Sequence, residues 1–452
     1  MMNLRKCIVG LILLLGIGIL TGRPAQAATY ETIGSFVEKL AEEIGIAPTK
    51  EAAVSAGLIR ETELKNWNKT LTRTDAAVYL DRADAILYDN DVDADLVAEI
   101  IEKRISDIKT IVKSKRESVA KAYARGIIKG YKNGNYSTNR EFRGKKKVTT
   151  SVADGWIKLL KDMESRHQIS PDGQVIRTKN LPSNADLFPY ILDSYPNEYY
   201  DWELRYMKGV SYYEDPEEPT HMIGIPWMYH PNRVYLKDYA APVDVQNLIC
   251  SYGWYDDYAP SLSGRYKNPK NEISTEELIE RGLDQWVETT KLYFQTAFSF
   301  DYMTVEVGDE WYQTMLSTLG GYGNYTGEYD ERDLNYYVNA AIDNKVTIEV
   351  DTVAVDGSTL YWYDGDLLLR VYVRFRFTSV SDSSNREALV FTQRAFGPSL
   401  STIEIGAWKD GYYDVELSGA RTSDASDRGV ECAELVDSWW MYNALDKWDG
   451  ED

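Results

Sequence analysis

Carboxylates are the most abundant groups in this sequence that could do chemistry, with 71 Asp and Glu against 50 Lys and Arg. Glycoside hydrolysis needs two carboxyl groups held roughly 5–9 Å apart across a cleft. Two clusters could provide such a pair: Asp256 with Asp257 among aromatic residues, and Asp301, Glu306, Asp309 and Glu310 where a predicted helix gives way to a loop. Such positions are more typical of helix caps and solvated loops. We therefore expect no catalytic residues and keep a carboxylate-based glycoside hydrolase as the alternative.

Other motifs for catalysis or metal binding are not found in the sequence. The three histidines, His167, His221 and His230, show neither the His-x-x-x-His spacing nor the nearby glutamate of a zinc site. No Gly-x-Ser-x-Gly elbow, Walker loop or Rossmann glycine loop occurs. We expect no metal and no cofactor.

The charge is distributed unevenly along the chain. Residues 28–180 hold 27 Lys and Arg against 23 Asp and Glu, whereas residues 181–452 hold 20 against 48. The net charges of +4 and −28 indicate different partners or environments for the two parts. Nucleic-acid binding needs clustered cations, so the acidic rear part argues against a nucleic-acid partner. The mildly basic front part suits an anionic wall polymer.

Helices joined by glycine turns would position the basic groups of the front part. Apolar residues recur at helical spacing in 30–45, 49–57, 72–88, 93–124 and 150–167, and the fourth stretch changes composition near 106–118, as two helices would. Gly126 follows the stretch 93–124 and should end its helix. Gly130 and the Asn133-Gly134 pair come next and predict turns. Thr149, Thr150 and Ser151 are candidates to cap the next helix.

These parts resemble an S-layer homology module, whose pattern is a helix, a G-[IL]-[IV]-x-G turn, a G-x-[FY] step and a T-R-x-[ED]-A-A helix start. They read GIIKG at 126–130, GNY at 134–136 and VTTSVADGWIKLL at 148–160. A second copy joins AAVSAGLI at 52–59 to LTRTDAAVYLDRADAIL at 71–87. A third, partial copy is TYETIGSFVEKLAEEIGI at 29–46, matched only in the helix. The resemblance covers roughly residues 29–165.

The resemblance implies an all-α anchor over residues 28–168 that binds a secondary cell-wall polysaccharide, anionic and pyruvylated, on a Gram-positive-type surface. It implies that Arg73, the basic residue of the T-R step, grips a ketal carboxylate through its guanidinium fork. Thr150 replaces this arginine in the later copy, where a nearby basic run could compensate or form an ordinary exposed loop. The other residues that we assign to polymer binding are Gly57, Gly126, Lys129, Gly130, Gly134, Arg143, Lys145, Lys146 and Lys147.

The start of the chain predicts export. Arg5 and Lys6 precede an apolar run over 8–20, and Ala25-Gln26-Ala27 forms a cleavage site, so residues 1–27 are typical of a signal peptide. The run is too short for a comfortable membrane span, and no later run could provide one. In an exported protein Cys250 and Cys432 could form a disulfide, and two buried free thiols are the alternative.

The rear part predicts an α+β domain. Turn residues at 169–184 predict a linker, and residues 185–270 are rich in aromatics, which could stack on sugars but more commonly fill cores and cover sheet faces. Within 271–452, capped helices at 275–298, 310–319 and 331–344 precede strands at 346–356, 359–380, 387–396, 401–410 and 411–418, and a helix closes the chain at 431–448. This order resembles NTF2-like and cystatin-like folds in architecture only.

Taken together, these patterns predict an exported protein of the cell wall or S-layer, with an all-α front domain and an antiparallel α+β rear domain. The rear domain is expected to serve envelope structure, adhesion or binding without catalysis. A wall-glycan hydrolase and a soluble protein that binds a small ligand are the competing readings, which a deep polar pocket would favour. The sequence identifies no protein partner.

Overall fold

In this computed structural model the described residues are 29–88, 91–200, 275–319, 327–363, 366–385, 388–391 and 404–417, with short strands at 213–214, 222–223 and 234–235. The predictions that fall outside these residues are the signal peptide 1–27, the pair Cys250 and Cys432, His221, His230, Asp256, Asp257 and the closing helix 431–448. The chain forms two compact units, Met1–Asn90 with Gly144–Met163, and Asp91–Arg143 with Glu164–Asp452.

The first unit is helical, as expected. It contains α1 (Ile33–Glu43), α2 (Lys50–Ser55), a 3-10 helix (Glu61–Asn66), α3 (Arg73–Tyr88) and α6 (Thr150–Lys161). Apolar faces of α1, α3 and α6 supply its core, in which Phe36, Leu40, Leu80 and Leu160 are completely buried. No helix within the described ranges of the chain is long and apolar enough to cross a membrane.

The second unit begins with a broken helical stretch. α4 (Ala94–Glu99) continues into a π-helix (Ile100–Arg104), a 3-10 turn follows at Ile108–Thr110, and α5 covers Lys113–Ala124. The interruption predicted near 106–118 is therefore confirmed. Two short strands, β1 (Tyr131–Lys132) and β2 (Arg140–Glu141), then form an antiparallel pair.

An antiparallel sheet with helices against it makes up the rest of the second unit. β3 (Tyr213–Glu214) and β4 (Met222–Ile223) pair with each other. The six-stranded sheet has the order β5 (Val234–Tyr235), β8 (Tyr361–Tyr363), β9 (Asp366–Ser379), β7 (Thr347–Val355) and β6 (Phe300–Asp301), and β10 (Lys409–Leu417) also pairs with β9. The helices are α7 (Thr275–Ala297), α8 (Glu310–Thr318) and α9 (Gly327–Asp343). A helical front and an antiparallel sheet in the rear thus agree with the coarse prediction.

One face of the sheet forms the larger apolar core. Phe294 and Phe298 of α7 pack with Val371, Val373 and Phe375, which alternate along β9 and are fully buried. The intervening Arg374 faces solvent, as a strand covered on one face requires. Each such side chain contributes roughly 1.5–3 kcal/mol through the removal of apolar surface from water.

The opposite face of the same sheet is covered near the start of β9 by tyrosines. Tyr195 and Tyr199 are completely buried there, and their hydroxyls donate to the carbonyl oxygens of Val355 (2.9 Å) and Arg370 (2.6 Å). Arg370 is only 1% exposed in consequence. The expectation that aromatics of the 185–270 segment cover a sheet face is therefore confirmed for its described part.

The compact units do not follow the limits that the sequence predicts. The chain passes from one unit to the other at residues 90/91, 143/144 and 163/164, whereas the predicted linker 169–184 lies wholly in the second unit. There, Ile169 bridges Val175 and Ile176 bridges Leu192. Val175 and Leu192, which take part in these two bridges, bury their side chains, so this stretch is packed and not a free linker.

Three details of the predicted rear strands are wrong. The described residues 388–391 of the segment predicted as strand 387–396 form a turn, and so do residues 404–408 of the predicted strand 401–410. Asp410 and Gly411 do not form a hairpin turn but lie inside β10, opposite Arg374 and Val373. The likeness to NTF2-like and cystatin-like folds stays a prediction.

Candidate functional site

Three chain segments close a ring of backbone hydrogen bonds in the first unit. The amide of Glu31 donates to the carbonyl of Val148 (2.9 Å), that of Val148 donates to Leu71 (3.0 Å), and that of Leu71 donates to Glu31 (2.8 Å). The bridges Tyr30–Thr149, Thr32–Thr70 and Thr72–Lys147 lie in the same ring. Each segment leads directly into one helix, so α1, α3 and α6 start from a common closed frame.

A second set of three equivalent bonds fixes which positions correspond. The amides of Ile33, Arg73 and Thr150 each donate to the carbonyl that lies two residues before the ring residue of another segment, namely Lys69 (2.9 Å), Lys146 (3.0 Å) and Thr29 (3.0 Å). The copy at 29–46 therefore includes the helix start, which the sequence match did not reach. Its Ile33 and the later copy's Thr150 stand where Arg73 stands.

The start of α3 is held by a reciprocal cap. The Thr72 hydroxyl accepts from the Asp75 amide (3.2 Å) and donates to the Asp75 carboxylate (2.7 Å). In α1, Thr32 accepts from the Ser35 amide (3.2 Å). Thr149 precedes α6 without a side-chain cap bond, so the T-R-x-D copy has the most firmly fixed first turn.

Arg73 is not on an open surface. Its side chain is 6% exposed, and the guanidinium carbon lies 5.3 Å from the centre of the Trp156 ring, which belongs to α6. A planar guanidinium stacked on an aromatic face keeps its edge donors directed in the plane of the group. The contact with Trp156 therefore restricts the orientation of the fork.

The basic run beside Arg73 is exposed. Lys145, Lys146 and Lys147 all face solvent, and the amide of Arg73 donates to the Lys146 carbonyl, so the structure brings the run next to the arginine. Lys147 extends its ammonium over the ring of Tyr30 (5.7 Å to the centroid), which is 51% exposed. This edge of the ring of backbone hydrogen bonds therefore presents cations together with an aromatic side chain.

A buried carboxylate is paired within the same ring of backbone hydrogen bonds. Glu31 is 3% exposed and accepts from Lys39 (2.9 Å), which also donates to Asp154 on α6 (2.8 Å). Partial burial alone would lower the pKa of Lys39, but the bonds to Asp154 and Glu31 outweigh it and raise the pKa. Lys39 therefore acts as a charged tie between α1, α6 and the ring.

The two clear copies share the geometry of their glycine turns. Gly57 and Gly126 have φ of 78° and 67°, and their amides close the same bond to the residue three positions earlier. The two apolar residues after each glycine both donate to one carbonyl, that of Ala53 after Gly57 and that of Ala122 after Gly126. Such a left-handed turn after a helix favours glycine.

The remaining predicted residues lie in the second unit. Gly134 has φ of 112°, whereas Gly130 is needed for close approach, because an added Cβ would lie 2.7 Å from the Arg140 Cβ. Arg143 pairs with Glu141 (2.7 Å) and stacks on Tyr131 at 4.5 Å. Lys129 follows the glycine turn and is partly buried. The structure thus places Gly126, Lys129, Gly130, Gly134 and Arg143 in the second unit, and Arg73 with Lys145–Lys147 in the first.

Two of the carboxylates considered for hydrolysis, Asp301 and Asp309, accept hydrogen bonds from nearby backbone amides. Asp309 accepts from the amides of Tyr312 (2.7 Å) and Glu306 (3.0 Å) and so caps α8 as expected, while Asp301 accepts from the Met303 amide (3.0 Å). These are the roles of cap and turn residues.

Comparison with known proteins identifies the module. The model of the S-layer homology domain matches residues 104–149. The matched stretch runs from the end of the π-helix through the GIIKG turn and the GNY step to the threonine before α6. The chain therefore carries an S-layer homology domain, a module that attaches surface proteins to cell-wall polysaccharide without a covalent bond. No curated protein and no solved structure matches the chain.

Some residues that shape these sites were missed by sequence reasoning. These residues are Trp156 and Tyr30, which the sequence patterns do not single out. A tryptophan six residues into the helix of one copy gives no sign that it meets the arginine of another copy. Only the closed ring, which joins residues far apart in sequence, brings them together.

Proposed function

We propose that the chain is an exported cell-surface protein whose first unit grips an acidic, pyruvylated wall polysaccharide at the edge of the ring that carries Arg73 and Lys145–Lys147. The observation that carries the proposal is the grouping of these four cations with Trp156 and Tyr30. Cations bind carboxylates, and aromatic faces stack on sugar rings, so the combination suits an acidic polysaccharide.

In this proposal Arg73 and the lysines bind the polymer in different ways. Its fork, held by Trp156, takes one carboxylate through two parallel hydrogen bonds. The exposed lysines attract the polymer over a longer range and contribute the salt-dependent part of binding. The rear domain takes no catalytic part and serves envelope structure, adhesion or binding.

The test is a sedimentation assay of the exported chain with purified wall sacculi, using sacculi stripped of the polymer as the blank. Arg73→Gln should weaken binding about ten- to a hundredfold, because one charged hydrogen bond contributes roughly 1.5–3 kcal/mol. Arg73→Lys keeps the charge but lacks the fork and should also weaken binding. Replacing Lys145–Lys147 with glutamine should flatten the dependence on salt.

The matched control is Lys65→Gln, which removes an exposed lysine from the 3-10 helix of the same unit. It should bind like the wild type. Far-UV circular dichroism checks that Arg73→Gln keeps its helices. Equal binding of wild type to intact and stripped sacculi would refute polymer recognition, and unchanged binding of both Arg73 variants would refute the assigned contact alone.

A further inference from the structure

Part of the guanidinium of Arg177, in the second unit, is shielded from water and has no hydrogen-bond partner among the described residues. The Nε and Nη2 atoms have almost no contact with solvent and donate to no group in the part of the chain that the structure describes. Burying a charged donor without a hydrogen bond is costly, so native proteins rarely leave one in this state. The two atoms lie on the same edge of the guanidinium, and this edge matches two oxygens of a carboxylate or phosphate.

Backbone pairing places Arg177 beside Asp193. Ile176 is opposite Leu192, the amide of Arg177 donates to Ile191 (2.7 Å), and the amide of Asp193 donates to Val175 (2.8 Å). Side chains alternate along paired strands, so Arg177 and Asp193 project from the same face as diagonal neighbours.

A second short ladder brings further cations to the same carboxylate. Arg140 donates to Asp193 through Nη1 (2.8 Å) and to the Gly130 carbonyl through Nε (3.0 Å). Lys132 is the direct partner of Arg140 in the pairing of β1 with β2. Asp193 is thus already engaged by Arg140, and Arg177 has no bond to it.

The charges in this cluster do not balance. Burial is the main cause of the lowered pKa of Lys132, and the positive charges of Arg177 and Arg140 lower it further against the opposing effect of Asp193. Burial also lowers the pKa of His167 to about 4, with Lys129 and Arg140 adding to the shift, so this imidazole carries no charge at neutral pH. Among these described groups, Lys132, Arg140 and Arg177 lie around the single carboxylate of Asp193.

We propose that Arg177, Lys132 and Arg140 form a binding site for an oxyanion, held by the Nε and Nη2 edge of Arg177. The ligand class is a carboxylate or phosphate group, and on the proposed function above it belongs to the wall polysaccharide. Arg177 and Asp193 lie outside the stretch matched by the S-layer homology model, so this contact is an addition of the second unit.

The experiment measures thermal unfolding of the exported full chain in chloride, phosphate and pyruvate buffers of equal ionic strength. Wild type should gain about 5 °C in Tm when the effective anion is about a hundredfold above its Kd. Phosphate and pyruvate separate the two sources of the oxyanion. Arg177→Met should lose this gain, and its Tm in chloride should equal or exceed that of wild type, because it removes an unpaired buried charge.

Arg332→Met is the control, since it removes an exposed guanidinium of the same unit that pairs with Asp333 (3.0 Å). It should keep the full gain in Tm. The proposal is overturned if wild type shows no saturable gain with either anion, or if Arg177→Met lowers the Tm equally in all three buffers, as loss of a packing residue would. If the wild-type chain binds sacculi but gains no Tm with either anion, the oxyanion site is refuted and the proposed function stands. If it gains Tm but does not bind sacculi, the proposed function is refuted and the oxyanion site stands.

Discussion

Tyr136, the last residue of the GNY step, provides a sharp test of how the second unit is built. Its ring stacks on Tyr372 with centroids 3.9 Å apart and planes 12° apart, and its hydroxyl lies 3.0 Å from that of Tyr412. Its amide donates to the Ser194 carbonyl (2.8 Å). The residue has φ of 61°, an uncommon conformation for a tyrosine, which these contacts stabilise.

The expected cost of Tyr136→Ala follows from these contacts. Removing a large aromatic side chain from a core costs about 3–5 kcal/mol, and the partial burial of Tyr136 indicates the lower end, about 3 kcal/mol. Tyr136→Phe keeps the stacking and loses only the hydroxyl bond, so we expect about 1 kcal/mol. A positive φ is unfavourable for alanine as it is for tyrosine. The difference in unfolding free energy between wild type and Tyr136→Ala therefore reports the loss of the ring and not a change in backbone strain.

The assay is equilibrium unfolding in urea, combined with hydrogen exchange of the β9 amides. Both variants should lower the urea midpoint and speed the exchange of the β9 amides, and both effects should be larger for Tyr136→Ala than for Tyr136→Phe. The exposed neighbour Asn135 provides the control variant Asn135→Ala, which should change stability by less than about 0.5 kcal/mol. If Tyr136→Ala is as mild as this control, the GNY step is not part of the core of the second unit and our account of it is wrong.

The remaining predictions concern backbone and titration. Gly126→Ala should cost more than about 3 kcal/mol in urea unfolding, because the new Cβ would overlap the His167 carbonyl oxygen, whereas Gly57→Ala, with open space and similar φ, should cost about 1 kcal/mol; equal losses would contradict this. Burial raises the pKa of Asp356 to about 6, although bonds from Tyr200 and Ser358 oppose the shift. Its protonated form therefore stabilises the fold fully below about pH 3.8, and about 3 kcal/mol is lost as pH rises through 6. Asp356→Asn should remove that dependence, and parallel stability–pH curves for both proteins would refute it.

The copies that the sequence revealed are those with strict local requirements. A helix that ends in a left-handed turn favours glycine, so the residues corresponding to Gly57 and Gly126 are visible without a structure. A capped first turn favours Thr72 and Asp75 for the same reason. These constraints act within a few residues, which is the range over which sequence patterns are informative.

The copy at 29–46 was only half visible because the bonds that define its helix start are made by backbone atoms. Ile33, Arg73 and Thr150 occupy equivalent places, and a backbone amide donates equally well from all three. The ring therefore tolerates changes of side chain that erase the motif. What the sequence retains is the apolar face of the helix that follows.

Contacts between distant segments could not be predicted for a different reason. The hydroxyls of Tyr136 and Tyr412 meet across 276 positions in the chain, and Arg370, although arginines are mostly exposed, is buried on β9. Nothing near Arg177 in the sequence marks it as unpaired, because its surroundings come from strands that meet only in the fold.

The closed ring of Glu31, Leu71 and Val148 also determines when the first unit can fold. The chain leaves this unit after Asn90 and returns at Gly144, so a polypeptide synthesised from its N-terminus delivers two of the three segments long before the last. Until Val148 has emerged, the amide of Glu31 and the carbonyl of Leu71 lack their native partners, and α6 is not yet available to cover α1 and α3. Folding of this unit is thus a late event in synthesis, and a second chain emerging nearby could supply the missing segment by strand exchange.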